Sequence, residues 1–128
     1  MILQRSRSSQ SLPELATIQE FDALQEQELT VVFKHSPTCP VSLYAHREVS
    51  QFCADQPEIP VYLVSVRRRR DVARHIEERT GVRHESPQIL VLRRGEVVAA
   101  ASHDDISAES LVSMLKSGRH TSPTSPER

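Results

Sequence analysis

The apolar run Leu29-Thr30-Val31-Val32-Phe33 stands just ahead of Thr38-Cys39-Pro40-Val41-Ser42, and that junction constrains the fold more than any other part of the chain. The run is rich in the β-branched and aromatic residues of a buried strand. Pro40 suits the first position of a helix, because its missing N–H has no intrahelical partner there and its φ is preset. A strand that delivers a cysteine to the mouth of a helix sets a thiol beside unpaired N–H groups and the positive end of the macrodipole. Both favour the thiolate, the reactive form in disulfide exchange. Ser42 stands where a second redox cysteine would sit, so no internal disulfide can close. The expectation is a one-thiol exchange centre with Cys39 as nucleophile, in which another thiol resolves a mixed disulfide. For Ser42 two readings stay open: its hydroxyl donates to the Cys39 sulfur, or it faces solvent in the first turn.

Composition sets the frame around this centre. The 128 residues suffice for one domain with its own core, and 38% hydrophobic content with 4% aromatics and no Trp makes that core lean and aliphatic. With 16 basic and 17 acidic side chains the formal net charge is -1, which gives no overall pull toward nucleic acid or a membrane. No apolar run approaches the ~18 residues of a membrane span. The start, Met1-Ile2-Leu3-Gln4-Arg5-Ser6-Arg7, lacks the apolar centre of a secretory signal. A cytoplasmic location follows as the expectation, with both cysteines reduced between reactions. Cys53 is unsuited to pair with Cys39: one helix from Pro40 to about residue 54 would separate them by ~21 Å, against the ~7 Å between Cα atoms that a disulfide tolerates. Cys53 instead shares an expected buried stripe with Val41, Ala45, Val49 and Phe52, and reads as a structural residue.

Residues 1–11 and 118–128 read as disordered tails around a domain at 12–117. Within it, Thr17 with Glu20 forms a capping box that opens a helix over 17–27. A strand at 29–34 and the Cys39 helix follow, then a strand from Ile59 to Val66 with Pro60 tolerable at its start. Asp71 is expected to cap a helix that Gly81 stops near Thr80. Two further strands flank Arg93-Arg94-Gly95 as a hairpin, and Ser107 caps a last helix to about Lys116. The order α-β-α-β-α-β-β-α, taken with the position of Cys39, predicts an α/β thioredoxin-like fold: a mixed four-stranded sheet flanked by helices, with an extra N-terminal helix. In that fold Pro87, just before the third strand, is expected in cis, with Ser86 offering backbone groups to an extended thiol substrate. The run Arg67-Arg68-Arg69-Arg70 has no interleaved aromatics and reads as a solvated loop and helix start rather than a nucleic-acid site. Its functional version is capture of carboxylates on a low-molecular-weight thiol. None of the six histidines has metal-ligand spacing with a cysteine, so no metal is expected; His35 and His103 are those the fold can bring toward the sulfur.

Three segments carry a family resemblance. Phe33-Lys34-His35-Ser36 with Thr38-Cys39-Pro40-Val41-Ser42, then Val82-Arg83-His84-Glu85-Ser86-Pro87-Gln88, then Ser102-His103-Asp104-Asp105-Ile106-Ser107 resemble, in order and spacing, the bacilliredoxin family of YtxJ type. Arg70-Asp71-Val72 falls where that family often opens its second crossover helix. The resemblance covers roughly residues 17–116 and implies a thioredoxin-like fold and bacillithiol redox chemistry. Bacillithiol, a cysteinyl thiol built on glucosamine and malate, would be the co-substrate, and no bound cofactor is implied. Cys39 would take bacillithiol from a client protein, a second bacillithiol would clear it, and a separate NADPH-dependent reductase would recycle the resulting disulfide. The malate carboxylates make Lys34 and Arg83 candidate contacts, beside Thr38 and Ser86. The rival readings are a glutathione-type monothiol glutaredoxin or iron–sulfur carrier, although Pro40-Val41 replaces the Gly-Phe usual after the cysteine in cluster binders, and a non-catalytic thioredoxin-fold adaptor or thiol sensor.

Overall fold

The structure, a computed structural model, describes residues 12–36 and 40–120. Helix α1 (Ile18–Asp22) runs into a 3-10 turn at Ala23–Glu26, followed by strand β1 (Leu29–His35), helix α2 (Pro40–Asp55), strand β2 (Val61–Ser65) and helix α3 (Arg70–Thr80). Strands β3 (Gln88–Arg93) and β4 (Glu96–Ser102), a 3-10 turn at His103–Asp105 and helix α4 (Ala108–His120) complete the order. The sheet runs β2-β1-β3-β4, with β1 parallel to β2 and the other pairs antiparallel. This is the mixed four-stranded sheet with an extra N-terminal helix that the order of elements predicts.

Strand alternation divides the core in two. Val31 and Phe33 of β1 face one side and join Ala45, Val49 and Phe52 of α2 and Leu111 and Leu115 of α4. Val32 faces the other side, with Phe21 of α1, Val64 of β2, and Val72 and Ile76 of α3. The central strands β1 and β3 are buried nearly throughout, whereas the edge strand β4 alternates toward solvent. At the opposite edge, Leu15 N–H donates to Leu63 C=O and Leu63 N–H to Pro13 C=O, both at 2.8 Å, so residues 13–15 cover β2.

Local chemistry accounts for the ends of the elements. Thr17 Oγ1 accepts from Glu20 N–H at 3.1 Å, as expected, but the Glu20 carboxylate accepts from Ala16 N–H at 2.7 Å instead of closing on Thr17. The expected helix over 17–27 is a short α-helix plus a 3-10 turn. Asp71 is not the cap of α3: the first helical bond runs from Ala73 N–H to Arg69 C=O, so Arg69 holds the cap position and Asp71 lies in the first turn. There its carboxylate still complements the helix dipole. Gly81 ends α3 at φ 75 and donates its N–H to Glu77 C=O, a left-handed stop. Arg94 and Gly95 have φ of 52 and 83, the pair of positive values that a two-residue hairpin turn of right-handed twist requires. Ser107 Oγ accepts from Ser110 N–H and Ser110 Oγ from Ser107 N–H, both at 3.0 Å, a reciprocal cap on α4. That helix continues to His120, so residues 118–120, expected in the tail, are helical. Residues 1–11 and 121–128 lie outside the described residues.

Candidate functional site

The parallel pairing of β1 with β2 and the antiparallel pairing of β1 with β3 bring several chain segments to one end of the sheet. His35 at the end of β1 is in register with Ser65 at the end of β2, and Lys34 with Gln88 at the start of β3. Gln88 is in turn paired with Ser102, the last residue of β4. Pro40 opens α2 at this end, so Cys39 directly precedes the first helical residue in the chain. Thr38 and Cys39 themselves lie outside the described residues.

The described residues at this end of the sheet form a tied framework. Ser42 is fully buried, and its Oγ accepts from the Ser36 N–H at 3.3 Å, which joins the end of β1 to the first turn of α2. The solvent-facing reading of Ser42 is therefore corrected. Its inward turn also corrects the expected stripe: Ser42 lies with Ala45, Val49 and Phe52 at i, i+3, i+7 and i+10, while Val41 is 39% exposed. Pro40 is exposed. The Ser86–Pro87 peptide bond is cis, the isomer expected. Pro87 is buried, and its C=O accepts from His103 N–H at 3.0 Å, which links this loop to the one after β4. Ser86 is partly buried, with its Oγ lacking a hydrogen-bond partner among the described residues.

Lys34 and Arg83, paired in the sequence reading as candidate cationic contacts, fall in opposite environments. Lys34 is wholly buried, and its ammonium donates to Gln88 Oε1 at 2.8 Å. Burial lowers its pKa to about 8, opposed by the carboxylates of Glu77 and Glu85. Arg83 is exposed, and its described hydrogen bond is through the backbone, where its C=O accepts from Gln88 Nε2 at 3.0 Å. Gln88 Nε2 also reaches Ser102 Oγ at 3.4 Å. Sequence reasoning missed Gln88 as a junction of three strands; its place directly after Pro87 at the start of a buried strand was the available signal.

The histidines separate likewise. The His35 ring packs against Phe33 and His46, with centroids 5.3 and 5.2 Å away, and its Nε2 has no hydrogen-bond partner among the described residues. Burial, then the neighbouring His46, pushes its pKa down, so at neutral pH it is an uncharged ring beside the strand end. His103 instead pairs with Glu85 across 3.3 Å on the surface. No group of three or more potential ligands capable of holding a metal occurs among the described residues. Cys53 is partly buried, and burial raises its thiol pKa to about 11, which makes it a poor nucleophile at neutral pH. No helix among the described residues is long and apolar enough to cross a membrane.

The arginine run is split by the turn into α3. Arg68 and Arg69 reach back to Glu14, at 2.8 and 3.6 Å. Arg67 and Arg70 line a cleft of about 390 Å³ together with Val66, Ala73, Arg74, Glu77 and His84. Arg74 escaped the sequence reading, although its i, i+4 spacing from Arg70 places both on one helical face.

Comparison with known proteins places this framework. A similar structure, of a protein provisionally assigned as an oxidoreductase with a thioredoxin fold, is 32% identical with a TM-score of 0.77, covering 81% of this chain and 93% of that one. The oxidized mitochondrial thioredoxin 3 of Saccharomyces cerevisiae superimposes with a TM-score of 0.69 over 85% of this chain and 97% of its own, at 16% identity. Thioredoxin of Trypanosoma brucei brucei gives 0.70 over 90% and 96%, also at 16% identity. These two matches concern the fold, which is that of thioredoxin. The family described as Monothiol bacilliredoxin BrxC matches residues 10–111. The chain, with a cysteine before its helix and a buried serine in place of a second thiol, belongs to the monothiol bacilliredoxin family and to its thiol redox chemistry.

Proposed function

We propose that the protein is a thiol-disulfide oxidoreductase that removes bacillithiol from S-bacillithiolated proteins. The Cys39 thiolate attacks the bacillithiol sulfur of the mixed disulfide, and the client sulfur leaves as a thiolate and takes up a proton. Bacillithiol is then disulfide-bonded to Cys39. A second bacillithiol, as thiolate, attacks the bacillithiol sulfur of this adduct, forming bacillithiol disulfide and returning the Cys39 thiolate. Overall, one mixed disulfide and one bacillithiol thiol become one client thiol and one bacillithiol disulfide, so atoms and electrons balance. A separate NADPH-dependent reductase recycles that disulfide. The reaction belongs to a bacterial cytoplasm and needs no resident cofactor.

The observation that carries this reading is Ser42. A hydroxyl held at 0% exposure by the Ser36 N–H cannot resolve a mixed disulfide, so resolution has to come from a thiol outside the chain. Cys53 is no substitute, because burial keeps its thiol protonated at neutral pH. Family membership then favours bacillithiol as that thiol.

The test is intact mass. Reduced protein mixed with an S-bacillithiolated test protein should gain one bacillithiol on Cys39 while the test protein returns to its thiol, and added bacillithiol should clear the adduct. Cys39→Ser should abolish transfer and Cys53→Ser should retain most of it. No gain of mass from a competent substrate, or loss of transfer in the Cys53 variant alone, overturns the reading.

A further inference from the structure

We propose that the cleft between the β2–α3 turn, one face of α3 and the loop before β3 is the carboxylate-binding subsite for the small thiol that Cys39 receives. This rests on the exchange function proposed above and names the part of the ligand that the protein reads.

Three observations carry it. First, the cleft is cationic by construction: Arg67 from the turn and Arg70 and Arg74 from successive turns of α3 converge on about 390 Å³, while the other two arginines of the run turn away to Glu14. Arg70 and Arg74 form no ion pair among the described residues, so their guanidinium forks are available for bidentate contact with carboxylates. Second, the lining sets one acidic residue, Glu77, against three arginines, so the cleft keeps a net positive charge. Glu77 Oε2 accepts from the His84 N–H at 3.0 Å, and its charge also acts on the buried Lys34 ammonium. Lys34 in turn lies close enough to help lower the pKa of His84, so its charge adds to the positive field of the cleft.

Third, the cleft lies at the end of the sheet where β1 stops at His35 and α2 begins at Pro40. Its lining begins at Val66, whose N–H donates at 3.0 Å to the C=O of His35, the last residue of β1. His84, also in the lining, belongs to the segment that continues into the cis Ser86–Pro87 bond. A small thiol exchanging where the chain passes from β1 into α2 would have this cationic recess at the same end of the sheet, suited to a dicarboxylate arm. Lys34, buried beneath, contributes its field rather than contact, and Arg83 does not line the recess.

The experiment compares two mixed disulfides of one test protein whose residues flanking the modified cysteine are uncharged. One carries bacillithiol, with its malate carboxylates; the other carries cysteamine, which is cationic. At low ionic strength the wild type should load bacillithiol on Cys39 about tenfold faster or more, as expected for charged hydrogen bonds made in one case and absent in the other. The exposed double variant Arg70→Glu/Arg74→Glu should lose that preference and gain on the cysteamine disulfide, a reversal that misfolding cannot produce. An unchanged ratio in the variant overturns the subsite while leaving the exchange reaction standing. Failure of the wild type to load either thiol overturns the exchange function and the subsite together. A second test protein, with aspartates flanking its cysteine, separates the ligand source. A charge effect that follows those aspartates and not the small thiol assigns the cleft to client recognition and overturns the proposal.

Discussion

Lys34, Ser42 and Cys53 each show a residue type whose role is decided by what surrounds it. A lysine wholly buried on a central strand is costly, and here Gln88 Oε1, 2.8 Å from Nζ, offsets part of the cost. Its folded pKa of about 8 lies below the ordinary 10.5, so between these values the unfolded chain binds more protons. Stability contributed through Lys34 therefore rises as pH increases across that window. Urea unfolding of wild type and Lys34→Met should show the difference moving in favour of the wild type from pH 8 to pH 10, since other groups titrate in both; a constant difference would refute it. Ser42→Ala removes the hydrogen bond from Ser36 N–H to the Ser42 hydroxyl and should cost about 1 kcal/mol in the same assay. At Cys53, where burial raises the pKa to about 11, alkylation of the folded protein at neutral pH should be slow, whereas Cys39 should react with an apparent pKa below the ~8.5 of an ordinary thiol.

Turns and caps were the most legible elements, because their chemistry is local. Thr17, Gly81, the Arg94-Gly95 turn and Ser107 each act within a few residues, and each takes the role its type suggests. Asp71 fails as a cap because the hydrogen bond from Arg69 N–H to Ser65 C=O, at 2.7 Å, settles the turn after β2 and starts the helix two residues earlier. Two glycines separate local strain from packing. Gly81 has φ +75 with nothing within 4 Å of an added Cβ, so Gly81→Ala should cost about 1 kcal/mol through backbone strain alone. Gly95 has φ +83, and an added Cβ would lie 2.9 Å from Gln25 Cβ and 3.1 Å from Gln25 Cα. Gly95→Ala should therefore destabilise more than Gly81→Ala in thermal or urea unfolding, because the hairpin must also move away from the 3-10 turn after α1. Equal losses would mean that this close approach is relieved without cost.

Across the whole molecule, two histidines with lowered pKa values make stability depend on acid. His35 and His84 both have pKa values pushed below the ordinary 6.5, first by burial and then by His46 and Lys34 respectively. As pH falls through 6.5 the unfolded chain takes up protons that the folded one refuses, so stability declines on that side. The unfolding midpoint should fall between pH 7 and pH 5.5, and less so in a His35→Asn/His84→Asn variant; parallel profiles would exclude these histidines as the cause. The sequence by itself determined the order of elements, the strand–cysteine–helix junction, the hairpin and the absence of a second thiol beside Cys39, because periodicity, capping and turn chemistry act over short stretches. Only the tertiary structure decided which of the arginines at 67–70 turn to Glu14 and which join Arg74 and His84 around a cleft, or that Lys34 is buried against Gln88. Those outcomes depend on strand register and helix placement, which bring together side chains tens of residues apart and leave no periodic trace along the chain.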